Sequence, residues 1–152
     1  MYVPGETGSD QQVWNNSTKD IRMIDCENEV YTRIATALRA AFPGIDVTGD
    51  AVNVPSAFPH VSIEQIDNRE MRGRTDAKEM IEVVFEINVY SNAQSRKKTE
   101  AKNIAKIIDD VFTGMNFRRM SLDRTPNRDD LTIYRLTGRY EGRTDGEYFY
   151  RS

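Results

Sequence analysis

The sequence predicts an α+β fold, a mostly antiparallel sheet with two amphipathic helices packed on one face. Three observations carry this. From about Met80 to Tyr90 the chain alternates, with Ile81, Val83, Phe85, Ile87 and Val89 toward one side and Glu82, Glu86 and Asn88 toward the other. That period of two describes a strand with one face buried and the other wet. Two stretches, one before and one after this strand, instead repeat apolar residues at helical spacing. Finally, the 152 residues suit one ordinary domain, and their order is helix, strands, helix, strands.

Residues 1–22 read as a flexible N-terminal arm. Gly5, Gly8, Ser9, Asp10, Gln11, Gln12, Asn15, Asn16 and Ser17 leave almost nothing there to bury. Trp14, beside Val13, is the exception. It is either a stray aromatic in a tail or an anchor that docks on a neighbouring subunit. The domain is expected over 23–152.

It opens with a helix from about Cys26 to Ala41. Asp25 is a good N-cap, and Glu27 and Glu29 put negative charge where the helix dipole favours it. Val30, Ile34, Ala37, Leu38 and Ala41 make one apolar stripe, and Phe42-Pro43-Gly44 stops the helix because proline cannot continue the hydrogen-bond ladder. Short strands follow at Ile45 to Thr48, Ala51 to Val54 and His60 to Ile66, punctuated by Pro55 and Pro59.

The second helix runs from about Ser95 to Thr113. Ala101, Ile104, Ala105, Ile108, Val111, Phe112 and Met115 form its stripe, with Gly114 suited to its C-terminal cap. Phe117 to Leu122 and Leu131 to Tyr140 read as strands joined through Thr125-Pro126-Asn127, and Glu147 to Arg151 as a last short strand.

Composition narrows the function. A net charge of −3 opposes a general nucleic-acid or membrane binder, and no apolar run approaches the roughly 18 residues of a membrane helix. Cys26 is the only cysteine, so no intrachain disulfide forms, consistent with assembly in a reducing cytoplasm. With 38% hydrophobic and 30% charged residues the core is modest relative to the surface, which favours further burial in an oligomer.

Catalytic patterns are missing. His60 is the only histidine and reads as a packing or hydrogen-bonding residue; Ser56 and Ser62 lack a nucleophile-elbow context. Neither a metal nor another cofactor is expected, since HExxH, EF-hand and P-loop patterns are absent. Glu82 and Glu86 share a strand face near Asp67, Asp76 and Glu79. The lysine that a metal-dependent nuclease carries beside its strand glutamate is replaced in Glu86-Ile87-Asn88, so a solvated face is the better reading.

Arg96, Lys97, Lys98, Lys102 and Lys106 form a basic ridge opposite the second helix's buried stripe, an exposed face suited to an acidic neighbour. Two mixed-charge segments, Asp67 to Glu79 and Arg118 to Asp130, are long for connectors. In the first, Arg69, Glu70, Arg72, Arg74, Asp76 and Lys78 are candidate assembly-interface residues, because matched charges suit polar contact with a partner.

The segments ENEVYTRIATALRAAFPGIDVTGDAVNVPSAFPHVSIEQIDN, FEINVYSNAQSRKKTEAKNIAKIIDDVF and LTIYRLTGRYEG resemble, in this order, small neck or tail-terminator proteins of long-tailed phages and prophages of Gram-positive bacteria, also called tail-to-head joining or tail completion proteins. The resemblance covers Met23 to Gly142, and the arm precedes the place where similar proteins begin. It implies a non-enzymatic virion subunit, assembled in the host cytoplasm. It further implies a homo-hexameric ring on the last layer of tail-tube protein that ends tube polymerisation, joins the tail to the head–tail connector or stopper, and passes genomic DNA without sequence-specific binding. The alternative is another neck component, a head-completion or stopper protein.

Overall fold

A computed structural model describes residues 23–71 and 79–151. The elements run α1 (Glu27–Ala41), β1 (Asp46–Thr48), β2 (His60–Glu70), β3 (Ile81–Ser91), α2 (Lys97–Gly114), β4 (Arg118–Arg124), β5 (Tyr134–Thr144) and β6 (Phe149–Tyr150). They form a sheet of order β1-β2-β3-β5-β4, with β6 beside β5. Only β1 and β2 are parallel; every other pairing is antiparallel. Because β3 occupies one edge of β5 along its whole length, β6 takes the other edge at Arg143 and Thr144, past the last β4 partner Glu141. Both helices cover one face, as expected. Among the described residues no helix is long and apolar enough to cross a membrane.

The core lies between the helices and that face. Val30, Ile34, Ala35 and Leu38 enter it from α1, and Ala101, Ile104, Ala105, Ile108 and Phe112 from α2. Ala35 stands in for the expected Ala41, which is exposed. From the sheet come Val61, Ile63, Ile81, Val83, Phe85, Ile87, Val89, Leu136 and Tyr140. Phe112 stacks on Tyr140 with ring centres 4.1 Å apart and lies 5.0 Å from Phe117. Gly142 makes room for this cluster, since a Cβ there would lie 2.6 Å from the Phe117 ring.

Element ends depart from the sequence expectation for identifiable reasons. The strand expected to stop at Ile66 continues to Glu70, because Ile66 is skipped between the pairs Gln65–Phe85 and Asp67–Val84. This bulge shifts the alternation by one, turning Asp67 and Arg69 to the outer face and Asn68 inward. Residues 51–54 form no strand; Val52 accepts a hydrogen bond from Tyr90 Oη at 2.7 Å. The first of α1's caps is Cys26, one residue later than expected, although Asp25 Oδ1 still accepts the Glu27 N–H at 3.0 Å. At the end of α2, Gly114 is still helical. Asn116, at φ 66°, makes the left-handed turn instead, and the Phe117 N–H returns to the Phe112 carbonyl.

Candidate functional site

On the outer face, away from the helices, β3 presents Glu82, Val84, Glu86, Asn88 and Tyr90, and β5 presents Arg135, Thr137, Arg139, Glu141 and Arg143. The register sets glutamates opposite arginines. Arg139 bonds Glu86 at 3.0 Å, and Glu82 takes Arg69 at 2.9 Å with Arg143 at 3.5 Å, in ion-pair range but without hydrogen-bond geometry. Arg118 of β4 reaches Glu141 at 2.7 Å.

The wet face expected from the alternation is therefore partly roofed. The Glu82 and Glu86 side chains are only 17% and 18% exposed beneath longer arginines. Asn88, expected on the wet side, is 2% exposed. Its Oδ1 accepts from Arg135 Nε at 2.9 Å and from Thr137 Oγ1 at 2.7 Å. Tyr90 is wholly buried under the segment that holds Val52, with the Arg135 guanidinium over its ring, and burial raises its phenol pKa.

His60 joins β1 to β2. Its Nδ1 is 2.8 Å from Asp46 Oδ2, its Nε2 is 3.3 Å from Thr48 Oγ1, and its ring meets Tyr90 edge-on. Both ring nitrogens are thus engaged within the fold, matching the packing role read from the sequence. Ser62, two residues on from His60, is buried, its hydroxyl without a hydrogen-bond partner among the described residues. Glu82 and Glu86 point to arginines and not toward a shared ion, and among the described residues no three His, Cys, Asp or Glu side chains converge as metal ligands would. Cys26 is buried; burial, with Asp25 and Glu29 beside it, pushes its thiol pKa up to about 12. A proton-bound thiol buried at the N-terminal cap of α1 is a packing group.

The proposed interface loop divides in two. Arg69 and Glu70, expected in the loop, are the last residues of β2, with Arg69 held by Glu82 and 3.6 Å from Asp67. The cause is the same bulge, which keeps pairing alive past Ile66. Arg72, Arg74, Asp76 and Lys78 lie outside the described residues, as do Trp14 and the whole arm 1–22. Arg118 to Arg124, half of the second mixed-charge segment, is likewise strand.

Sequence reading marked the basic ridge of α2 as an exposed face but not the groove that α2 forms with β4. A groove of about 370 Å³ runs between them, floored by Ala105, Leu122 and Leu136 and bordered by Lys102, Lys106 and Arg119 together with the carboxylates Asp109 and Asp110. Asp109 anchors it, accepting from Tyr140 Oη at 2.7 Å and pairing with Arg119 at 3.3 Å. Burial and this carboxylate raise the Tyr140 pKa. The four-residue spacing of Lys98, Lys102 and Lys106 was the available signal; that β4 lies beside them was not legible.

Comparison with known proteins gives one family and one fold. The model of the family described as Tail completion protein gp17 matches residues 28–145. No curated protein sequence matches. Among solved structures, a chain from "Virion of native gene transfer agent (GTA) particle" is similar at a TM-score of 0.58 and 17% identity. The match covers 75% of this chain and 90% of that one, and at this identity it speaks for the fold.

Proposed function

This chain belongs to the tail completion protein gp17 family, and we propose that it is a structural protein of the phage virion that caps the head-proximal end of the tail. In this reading several copies, six by family analogy, form a ring on the last layer of tail-tube protein. The ring ends tube polymerisation and offers its other face to the head–tail connector or stopper. Genomic DNA passes through its opening without sequence-specific contacts. The observation that carries the reading is the family match across 28–145, which spans α1 to the end of β5. The engaged histidine and the arginine-held glutamates support a structural role over a hydrolytic one.

Two regions are proposed as assembly contacts within it. The segment Asp67 to Glu79, with four basic and four acidic residues, suits polar contact with a tube subunit or an adjacent copy. Trp14 in the arm is proposed as an anchor on a neighbour. A reconstruction of the neck tests the main reading. Several copies of the chain around the tail axis are expected, and a single copy, or one off the axis, would sink it. Replacing residues 72–78 with a Gly-Ser linker tests the loop. The expected result is a folded chain by circular dichroism whose tails are abnormal in length or fail to join heads; normal tails would make the loop dispensable.

A further inference from the structure

Charge is sorted to opposite sides of this sheet. Residues 25–70, which build α1, β1 and β2, carry eight acidic and three basic side chains, a net −5. Residues 96–124, which build α2 and β4, carry eight basic and four acidic ones, a net +4. The sheet order places β1 and β2 at one edge and β4 at the other, with β3 and β5 between. The helices follow the same division, α1 against β2 and α2 against β3, β5 and β4. The molecule thus has an acidic flank and a basic flank, separated by roughly 15–20 Å at ordinary strand spacing.

Both flanks are open. On the basic side Arg96, Lys98, Lys102, Lys106 and Arg124 are exposed, and none joins an ion pair among the described residues. Strand β4 pairs only with β5, so its other edge has no partner strand among the described residues. On the acidic side Asp50 and Glu70 are exposed and Glu64 is half-buried, none of the three joins an ion pair among the described residues, and the terminal strand β1 is three residues long. Like charges gathered this way repel each other and favour a partner of opposite sign. A polyanion would satisfy one flank only. A second copy of the chain satisfies both.

We propose that the basic α2–β4 flank of one copy seats against the acidic α1–β1–β2 flank of the next. This rests on the ring reading above and names the surface through which copies meet. Since the two flanks differ, the contact is head-to-tail, the kind that closes into a ring when each step turns by a constant angle. The α2–β4 groove contributes an apolar floor inside a charged border, the usual build of an interface core and rim.

The test uses tails made in a producer lacking this gene, with the chain supplied in trans and its copies per tail counted by mass spectrometry against labelled peptides. One variant reverses the basic flank (Lys98→Glu, Lys102→Glu and Lys106→Glu), and the other reverses the acidic flank (Asp50→Lys, Glu64→Lys and Glu70→Lys). Each alone should lower the copy number about tenfold or more, because its two flanks now share a sign. Supplied together they should restore it, as each reversed flank matches the other's. Wild-type copy numbers with either variant alone, or no rescue by the mixture, would overturn the interface while leaving the ring intact. A wild-type count of one per tail would overturn the ring reading itself. Should a triple variant fail to fold, Lys102→Glu and Asp50→Lys carry the same test, with greater sensitivity to salt than wild type as the expected result and wild-type counts at every salt as the refuting one.

Discussion

On the helix side of the sheet, Phe112 lies flat on Tyr140 and the inward side chains of β3 are buried. On the other side, Glu82 and Glu86 of the same strand hold arginines that are themselves half-exposed. One strand thus meets two environments. The helix side gains from apolar burial, which is large and indifferent to direction. The outer side gains from ion pairs, which are directional, screened by salt and individually weak. Stability should therefore reside on the first face, while the second and the two flanks remain adjustable for contact with partners.

The sharpest way to break this comparison is Phe112→Ala. It removes the ring that touches Tyr140, Phe117 and Phe85, and should cost about 3–5 kcal/mol in urea unfolding. A loss under about 1 kcal/mol would mean that the helix face does not dominate.

Gly142→Ala probes the same face from the sheet side. Its new Cβ meets the Phe117 ring, so a loss of about 1–3 kcal/mol and a lower melting temperature are expected. Asn88→Ala asks whether the outer face is uniform. Arg135 and Thr137 would lose a buried acceptor, and a loss of about 1–3 kcal/mol would mark this end of the outer face as core-like.

A pH titration sharpens the picture at the start of α1. Cys26 holds its proton up to about 12, against an ordinary 9.0, so the unfolded chain ionises first. Stability is then fully present below pH 9 and falls as pH rises toward 12, by up to roughly 1 kcal/mol per pH unit from this group. Melting curves of Cys26→Ala should lack that part of the decline. The smallest effect belongs to Glu86→Gln, which breaks the pair with Arg139 in reach of solvent and should change stability by about 1 kcal/mol or less. A loss as large as that of Phe112→Ala would erase the distinction between the faces.

The sequence by itself determined what depends on local period. The alternation of Ile81, Val83, Phe85, Ile87 and Val89 marked the central strand, and two apolar stripes marked the helices that cover it. His60, with no plausible catalytic partner near it in sequence, was legible as a packing residue. Tertiary structure alone decided what depends on register and on what covers what. The bulge at Ile66 turned Arg69 from a loop residue into a strand residue facing Glu82. Asn88 sits on the polar side of a correct alternation yet is buried, because Arg135, Thr137 and the segment through Val52 close over that end. Lys102 and Lys106 read as a solvated ridge until β4 is placed beside α2 and Asp46, Asp50 and Glu64 at the far edge. Periodicity is set by each residue's own backbone. Register, cover and the sorting of charge between flanks arise from pairings between segments distant in the chain, which no local pattern encodes.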